Sequence, residues 1–226
     1  MPLFNEEASI RKTVEEWLTE LRRVEVLDFT LLLIDDGSTD SSLSIIREFE
    51  VDSKEVVVKT GPNQGHGKSC LDGYRFAFEG GFELILQLDS DGQCDPRYFP
   101  RFLETLTSSD CDAVYGLRYY RKDGYIRYLV SRVLSVIAFC KTGIWVFDPN
   151  VPYRLFRAQT LSSLLSREFT ISLYNVYLAL YHKSCWKLRF VSIIFRDRWG
   201  GSPSVKLGSL WTLGFQFWVE SGKMKI

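Results

Sequence analysis

Apolar positions in the first half of the chain alternate between two spacings, one typical of helices and one typical of buried strands. Ile10, Val14 and Trp17 recur at helical spacing, and the continuous apolar run at 29–34 then predicts a buried strand. The same alternation predicts further helices at 43–49, at 67–79 and from Pro100, and further strands at 56–59, 84–88 and 113–116. This order favours an α/β fold with a mainly parallel, Rossmann-like sheet flanked by helices.

The pattern is looser after residue 120. An amphipathic segment covers 126–139, a turn is predicted at Asp148 and Pro149, and β-like runs follow at 153–156 and 188–195. A chain of 226 residues is long enough for one α/β domain with a full core. We therefore expect a single domain over residues 1–226.

Two acidic clusters follow predicted strands, at 35–40 (DDGSTD) and at 89–93 (DSDGQ). Open sheets of this kind bind ligands beyond the carboxyl ends of their strands, so we expect one shared site. Asp89 and Asp91 are two residues apart and can face the same side, while Gln93 can add a neutral oxygen. Such oxygen ligands suit Mg²⁺ or Mn²⁺, which then holds a diphosphate. An acidic turn that only ends a strand is the alternative, and the neighbouring cluster favours the metal site.

The first cluster offers its own binding groups. Asp35 or Asp36 can accept a hydrogen bond from a nucleobase N–H or a ribose hydroxyl, while Ser38 or Asp40 caps the next helix. Capping alone is the alternative. Capping does not explain why two adjacent carboxylates, Asp35 and Asp36, stand at the end of the strand.

Charge and cysteine content narrow the class of protein. The 28 Lys and Arg residues balance the 28 Asp and Glu residues, so no overall positive field indicates a nucleic-acid partner. The five cysteines form no CxxC pair, which fits reduced thiols and a cytoplasmic location. Charged residues interrupt the longest apolar stretches, so we expect no membrane-spanning segment.

Eight short motifs along the chain occur in the order found in family 2 glycosyltransferases: PLFNEE, LIDDGSTD, NQGHGKSC, LQLDSDGQ, GLR, RYLVS, DPNVPYRLFR and RDRWGGS. Within that family the chain most resembles the polyprenyl-phosphate hexosyltransferases of the dolichyl-phosphate mannose synthase type. The resemblance implies a GT-A fold, a GDP- or UDP-sugar donor and inversion at the anomeric carbon. It also implies that residues 1–120 bind the nucleotide sugar and that residues 121–226 bind the acceptor.

The resemblance assigns roles to individual positions. The residues that would line the nucleotide pocket are Pro2, Phe4, Glu6, Asp35 and Asp36. The metal ligands would be Asp89, Asp91 and Gln93, of which Asp89 also contacts the donor. The residues that would hold the acceptor phosphate are Arg118, Arg127 and Ser131. Arg198 would meet the donor diphosphate. Arg127 and Ser131 are four residues apart, so on a helix they share one face, although a solvated helix face is an equal alternative.

The implied reaction transfers a hexose to dolichyl or undecaprenyl phosphate at the cytoplasmic face of a membrane. A lipid phosphate is already ionised, whereas a sugar hydroxyl needs a base, for which Asp148 is the candidate. We expect Asp148 to orient a loop instead, with Asp91 and Arg118 as the other catalytic residues. Asn150, Val151 and Pro152 depart from the lipid-phosphate pattern, which leaves transfer to a glycan hydroxyl open. A nucleotide-sugar-binding regulatory domain is the non-enzymatic alternative.

The two ends of the sequence also bear on the fold. Relatives begin with a strand before the Pro-x-aromatic motif, whereas Met1 here directly precedes Pro2, so we expect that strand to be absent. Near the other end, Leu207, Leu210 and Trp211 recur at helical spacing. This segment either lies peripherally in a membrane interface or packs on the domain's own core.

Overall fold

The computed structural model describes residues 1–24, 28–120, 151–165 and 187–200, together with scattered positions between 132 and 148. In the first 120 residues, strands and helices alternate as the apolar pattern predicts. They are β1 (Pro2–Leu3), α1 (Ile10–Arg23), β2 (Leu31–Asp35), α2 (Ser42–Asp52), β3 (Val56–Thr60), α3 (His66–Glu79), β4 (Leu84–Gln87), α4 (Phe99–Ser108) and β5 (Ala113–Tyr120). A 3₁₀ turn, Pro96–Tyr98, leads into α4.

The second half contributes two more strands among the described residues. They are β6 (Arg154–Arg157) and β7 (Leu188–Ile194), and β6 is followed by a 3₁₀ turn, Ala158–Leu161, and a short helix α5 (Ser162–Leu165). The predicted acceptor residues Arg127 and Ser131 lie outside the described part of the chain, as do most of the predicted segment at 126–139 and the C-terminal segment.

The strands form a three-stranded sheet, β1-β2-β3, and a four-stranded sheet, β4-β6-β5-β7. Three pairings are parallel, β1 with β2, β2 with β3, and β5 with β7, whereas β6 runs antiparallel to both β4 and β5. The prediction of a mainly parallel sheet flanked by helices is confirmed. The antiparallel insertion of β6 was not predicted, because an apolar run does not encode the direction in which the chain returns to the sheet.

The expected absence concerns a strand before the Pro-x-aromatic motif, and the structure forms a short strand within that motif. Pro2 and Leu3 form a two-residue strand that pairs in parallel with Ile34 and Asp35 of β2. The pairing is continued by Asp36, whose N–H donates to the Leu3 carbonyl over 2.9 Å. Two residues are enough because β2 supplies a complete hydrogen-bonding edge. The short strand carries the following segment, which includes Glu6, to the carboxyl end of the sheet.

Helix α1 joins the two parts of the core. Its Ile10 and Val14 pack in the cluster around β2 and β3, while Trp17 belongs to the larger cluster around β4, β5 and β6. The Trp17 ring is 1% exposed and meets the rings of Tyr153 and Phe99 edge-on, with centroid distances of 5.7 and 6.4 Å. One amphipathic helix therefore fixes the start of the chain against both sheets.

Within the described residues, no helix is long and apolar enough to span a membrane.

Candidate functional site

The predicted metal ligands lie in a tight turn directly after β4. Gly92 has a φ of +79°, a left-handed conformation that suits glycine, and the turn is closed where the Gln93 N–H donates to Asp91 Oδ1 over 3.1 Å. Asp89 and Asp91 both project from this turn. The other carboxylate oxygen of Asp91, Oδ2, lies 3.4 Å from Nη1 of Arg198.

The donor set of this turn fits a hard divalent cation that takes few protein ligands. Asp89 Oδ1 is buried and accepts no hydrogen bond. Gln93 uses its Nε2 to donate to the Arg196 carbonyl over 3.2 Å, which leaves Oε1 as its available oxygen. Among the described residues, no three or more His, Cys, Asp or Glu side chains are grouped so as to hold a metal ion by themselves. A cation here would therefore need water and phosphate oxygens to complete its shell, as Mg²⁺ and Mn²⁺ commonly do.

Residues 196–200, which we call the strap, run alongside the turn. The Arg196 N–H donates to the Gln93 carbonyl over 3.2 Å, and the Trp199 N–H donates to the Asp91 carbonyl over 3.3 Å. Arg196 also forms ion pairs with Glu16 and Asp95 at 2.5 and 2.7 Å. These contacts bring Arg198, predicted to meet the donor diphosphate, next to the predicted metal ligands.

The Trp199 indole packs directly on Gly92. A Cβ atom on Gly92 would lie 2.5 Å from the indole carbons Cδ2 and Cε3, so the ring occupies the space that any side chain would need. Lys12 lies over the Trp199 ring, with its Nζ 4.1 Å from a ring centroid. The conformation of the turn and the position of the strap are thus set together.

Glu6 is buried beside the strap. Its carboxylate accepts a hydrogen bond from Ser9 Oγ over 2.8 Å and pairs with Nη2 of Arg198. Burial raises the pKa of Glu6, and the hydrogen bonds from Ser9 and Arg198 offset this only in part. Pro2 is buried in β1, while Phe4 is 37% exposed. The structure thus brings Glu6 into contact with Arg198.

The segment around Glu6 is tied to the first acidic cluster by hydrogen bonds. The Glu6 N–H donates to Ser42 Oγ over 2.7 Å, the Glu7 N–H donates to Asp40 over 3.2 Å, and Asn5 accepts from the Thr39 N–H over 2.8 Å. Asn5 has a φ of +53°, which asparagine tolerates better than most residues. Sequence reasoning did not identify these links, although NEE and DDGSTD are both rich in short polar side chains that favour such bonds.

Asp35 and Asp36 use their carboxylates within the protein. Asp35 accepts from the Ser38 N–H over 3.2 Å and from Thr60 Oγ1 over 3.0 Å. Asp36 accepts from the backbone N–H groups of Gln64 and Gly65 over 2.8 and 2.9 Å. The two carboxylates therefore order the loops at the carboxyl ends of β2 and β3, a role beyond the helix capping considered as an alternative.

Arg118 and Asp148, both predicted as catalytic, contact one another. The Nε and Nη2 atoms of Arg118 each lie 2.5 Å from a carboxylate oxygen of Asp148, and both side chains are less than 10% exposed. The Arg118 guanidinium also lies over the Phe195 ring, 5.1 Å from its centroid. The guanidinium fork is thus engaged by a carboxylate of the same chain.

Histidine 66 is a site residue that the sequence did not reveal. Its Nε2 lies 3.7 Å from Asp89 Oδ1 and 3.5 Å from Cys70 Sγ. The Cys70 sulfur is the largest influence that raises the pKa of His66, and Asp89 adds to it. Burial is the largest influence that raises the pKa of Asp91, followed by the nearby Asp89. The negative charge in this turn therefore favours cations beside it.

Comparison with solved structures identifies the architecture. Glucosyl-3-phosphoglycerate synthase from Mycobacterium tuberculosis in complex with phosphoglyceric acid has a TM-score of 0.72 at 21% identity, over 100% of this chain and 79% of that one. The same enzyme in complex with Mn²⁺, uridine diphosphate and glucosyl-3-phosphoglycerate has a TM-score of 0.70 at 18% identity, over 97% and 76% of the two chains. The expected GT-A fold is confirmed.

Curated relatives match the chain over 73% of its length. An uncharacterized protein of Methanocaldococcus jannaschii is 27% identical over 173 residues, which cover 72% of that protein. An undecaprenyl-phosphate 4-deoxy-4-formamido-L-arabinose transferase of Pectobacterium atrosepticum is 27% identical over 167 residues, which cover 50% of it. The chain thus spans about half the length of the transferases that it matches. The expected resemblance to enzymes that act on polyprenyl phosphates is confirmed.

A model of the family described as "Glycosyl transferase family 2" matches residues 1–178. The match includes both acidic clusters and β1 to β6. The chain belongs to glycosyl transferase family 2.

Proposed function

We propose that this glycosyltransferase moves a sugar from a nucleoside-diphosphate donor to a polyprenyl phosphate, with Mg²⁺ or Mn²⁺ bound at Asp89, Asp91 and Gln93. The observation that carries the proposal is the convergence of the Asp91 carboxylate with the Arg198 guanidinium, 3.4 Å apart at one edge of the sheet. A carboxylate turn beside an arginine offers both groups that a metal-bound diphosphate requires. The sugar is left open, because the arabinose named for the bacterial relatives is a pentose and not the hexose that the motifs imply.

The donor side uses residues of 1–120 together with the strap. A bound divalent cation would stabilise the negative charge that develops on the leaving diphosphate. Arg198 contributes a second positive charge, and its guanidinium can donate two hydrogen bonds to phosphate oxygens. Glu6 holds this guanidinium at the entrance of the turn. Asp36 orders the loop at 64–65, whose two backbone N–H groups donate to its carboxylate.

The acceptor side is proposed within residues 121–226, with Arg118 at its border. Both oxygens of the Asp148 carboxylate accept hydrogen bonds from Arg118, each 2.5 Å long, so this carboxylate is already engaged within the protein. A sugar hydroxyl needs a base to remove its proton, whereas a phosphate attacks in its ionised form. Asp148 acts in this proposal by orienting Arg118 towards the acceptor phosphate. The same geometry disfavours transfer to a glycan hydroxyl.

The chemistry of the acceptor determines where the enzyme works. A polyprenyl phosphate is embedded in a membrane, so the reaction takes place at a membrane surface, and we propose peripheral contact at the cytoplasmic face. The relatives named for this chemistry are about twice as long as the matched region. We therefore propose the membrane contact, the acceptor and the donor for a protein of which this chain carries the matched region.

The test is a donor screen with the full chain, Mn²⁺ and a short polyprenyl phosphate. GDP- and UDP-sugars are incubated with and without the lipid, and release of nucleoside diphosphate is measured together with formation of the lipid-linked sugar. We expect release that depends on the lipid phosphate and falls at least about 100-fold in Asp91→Asn. Asp28→Asn, which changes an exposed carboxylate before β2, is the matched control and keeps full activity.

Three other outcomes contradict the proposal. Release without lipid product contradicts the acceptor, and transfer to a glycan hydroxyl in its place identifies the alternative enzyme. Binding of a nucleotide sugar without any turnover indicates a regulatory domain.

A further inference from the structure

The guanidinium of Arg198 lies between two carboxylates that belong to different parts of the chain. Its Nη2 pairs with Glu6, and its Nη1 lies 3.4 Å from Asp91 Oδ2. The side chain is 23% exposed, whereas those of Glu6 and Asp91 are 7% and 9% exposed. Since these contacts are largely shielded from water, they are stronger than those of a surface ion pair.

The two carboxylate oxygens of Asp91 have different partners. Its Oδ1 accepts the Gln93 N–H over 3.1 Å and so maintains the turn. Its Oδ2 is the oxygen that Arg198 faces. A divalent cation that binds Asp91 through Oδ2 therefore competes with the guanidinium of Arg198 for that oxygen.

The strap keeps Arg198 close to this oxygen. The backbone of Arg196 and Trp199, on either side of Arg198, is hydrogen-bonded to the turn at Gln93 and Asp91. The Nε of Arg198 also donates to the Gly200 carbonyl over 2.7 Å, which restrains the side chain at its base. The effective concentration of the guanidinium at Asp91 is consequently high, as for any tethered ligand.

We propose that Arg198 is a tethered cation that competes with the divalent metal for Asp91 Oδ2, so that metal and nucleoside diphosphate bind cooperatively. The metal alone must displace the guanidinium from Asp91. A nucleoside diphosphate offers Arg198 another anion and thereby frees the oxygen. By thermodynamic linkage, each of the two ligands then strengthens the binding of the other.

This inference rests on the proposed function, because it takes the turn as a metal site and the diphosphate as its partner. It adds a distinct consequence for Arg198. A residue that only bound the diphosphate would affect the nucleotide alone. A tethered competitor instead weakens binding of the metal in the absence of nucleotide and strengthens it in the presence of nucleotide.

The experiment measures Mn²⁺ binding to the full chain by electron paramagnetic resonance of the free ion, without nucleotide and with saturating UDP or GDP. For the wild type we expect nucleotide to tighten Mn²⁺ binding by roughly 5- to 150-fold. In Arg198→Gln, Mn²⁺ alone should bind roughly three- to tenfold more tightly than to the wild type, and the effect of nucleotide should shrink. Arg198→Lys keeps the positive charge and should return both values towards those of the wild type.

The control is Arg22→Gln, which removes the same charge from an exposed pair with Glu55 in the last turn of α1. It should leave both Mn²⁺ affinities unchanged. If Arg198→Gln does not fold, as judged by circular dichroism, the neutral and unbranched Arg198→Met takes its place. An Arg198→Gln protein that binds Mn²⁺ alone no more tightly than the wild type overturns the inference, and so does one that keeps the full effect of nucleotide. Failure of the wild type to bind Mn²⁺ with either nucleotide overturns the proposed metal site itself.

Discussion

Arg118 on β5 and Asp148 form a bidentate ion pair with two contacts of 2.5 Å. Their side chains are 8% and 7% exposed, so both charges have left water. Removal of one member of a buried pair is much more destabilising than removal of the pair as a whole. The pair therefore predicts how the protein responds when either charge is lost.

The substitution Asp148→Asn should destabilise the fold by about 3 kcal/mol, because it removes the carboxylate that compensates the buried Arg118 charge. Urea unfolding at neutral pH measures the change. Asp110→Asn is the matched control, since Asp110 pairs with Lys187 at the same distance of 2.5 Å but is 91% exposed. Its stability should equal that of the wild type. Equal changes in unfolding free energy for the two variants would show that burial of the Arg118–Asp148 pair does not increase its contribution to stability.

Gly92→Ala should be destabilising for two separate reasons. The residue has a φ of +79°, which is strained for alanine, and the new Cβ would lie 2.5 Å from the Trp199 ring. Gly81 has a similar φ of +72° with nothing within 4 Å of a built Cβ, so Gly81→Ala isolates the backbone effect. We expect about 1 kcal/mol for Gly81→Ala and a further 1–3 kcal/mol for Gly92→Ala, measured by urea unfolding.

A double-mutant cycle separates the contact with Trp199 from other effects at Gly92. In a Trp199→Ala background the ring no longer occupies the space above the turn, so Gly92→Ala should lose most of its additional penalty. If Gly92→Ala costs the same unfolding free energy in the wild type and in Trp199→Ala, the indole can move aside freely. In that case the turn and the strap are not coupled.

Asp40 should contribute stability that depends on pH. Its carboxylate accepts the N–H groups of Ser42 and Glu7 over 2.9 and 3.2 Å. Burial raises the pKa of Asp40, but the hydrogen bonds outweigh it and the net pKa lies below the ordinary value of 3.8. A carboxylate with a lowered pKa stabilises the fold while it is ionised, so its contribution is present above 3.8 and is lost as the pH falls through the lower, folded-state pKa.

Asp40→Ala should therefore be less stable than the wild type by about 1 kcal/mol at neutral pH, a value kept small by solvent. The difference should stay constant down to about pH 5 and narrow below the ordinary pKa of the group. Unfolding in urea across this range measures it. Asp28→Ala, at an exposed position, should show no such narrowing. If the difference in unfolding free energy between the wild type and Asp40→Ala widens as the pH falls, the ionised carboxylate does not stabilise the fold.

The sequence was sufficient for the elements that have strong periodicity. α1 begins at Ile10 and β3 begins at Val56, both where the apolar pattern predicts, because burial of one helix face or of a whole strand leaves a clear signal. The strand at β1 was missed, since two residues are too few for any pattern. The antiparallel direction of β6 was missed as well, because strand direction depends on the path of the connecting chain.

Convergence of the acidic clusters at one edge followed from the topology, whereas the contacts of single side chains did not. Nothing in the sequence places His66 beside Asp89, or Trp199 on Gly92, because the partners are separated by 23 and 107 residues along the chain. The pairing of Arg118 with Asp148 is also long-range. Such contacts depend on rotamers and loop paths, which local propensity does not encode.

Asp36 lies where the family motif suggests contact with the nucleotide, yet its two oxygens accept the backbone N–H groups of Gln64 and Gly65. Asp36→Asn replaces one acceptor oxygen by an NH₂ group, which leaves one of these N–H groups without its charged acceptor. We expect a loss of about 1–3 kcal/mol in stability. Since His66 follows this loop and lies 3.7 Å from Asp89, nucleotide affinity should fall at the same time.

The losses of stability and of nucleotide affinity together distinguish a carboxylate that positions the loop from one that contacts the nucleotide directly. Binding of UDP or GDP with Mn²⁺ is measured by calorimetry, and unfolding in urea is measured on the same preparation. Thr60→Val provides the control, because it removes a hydrogen bond of 3.0 Å to the neighbouring Asp35 but leaves the loop at 64–65 in place. It should lower stability with little change in affinity. If Asp36→Asn loses affinity while its stability stays at the wild-type level, the carboxylate contacts the nucleotide directly, and the positioning role is wrong.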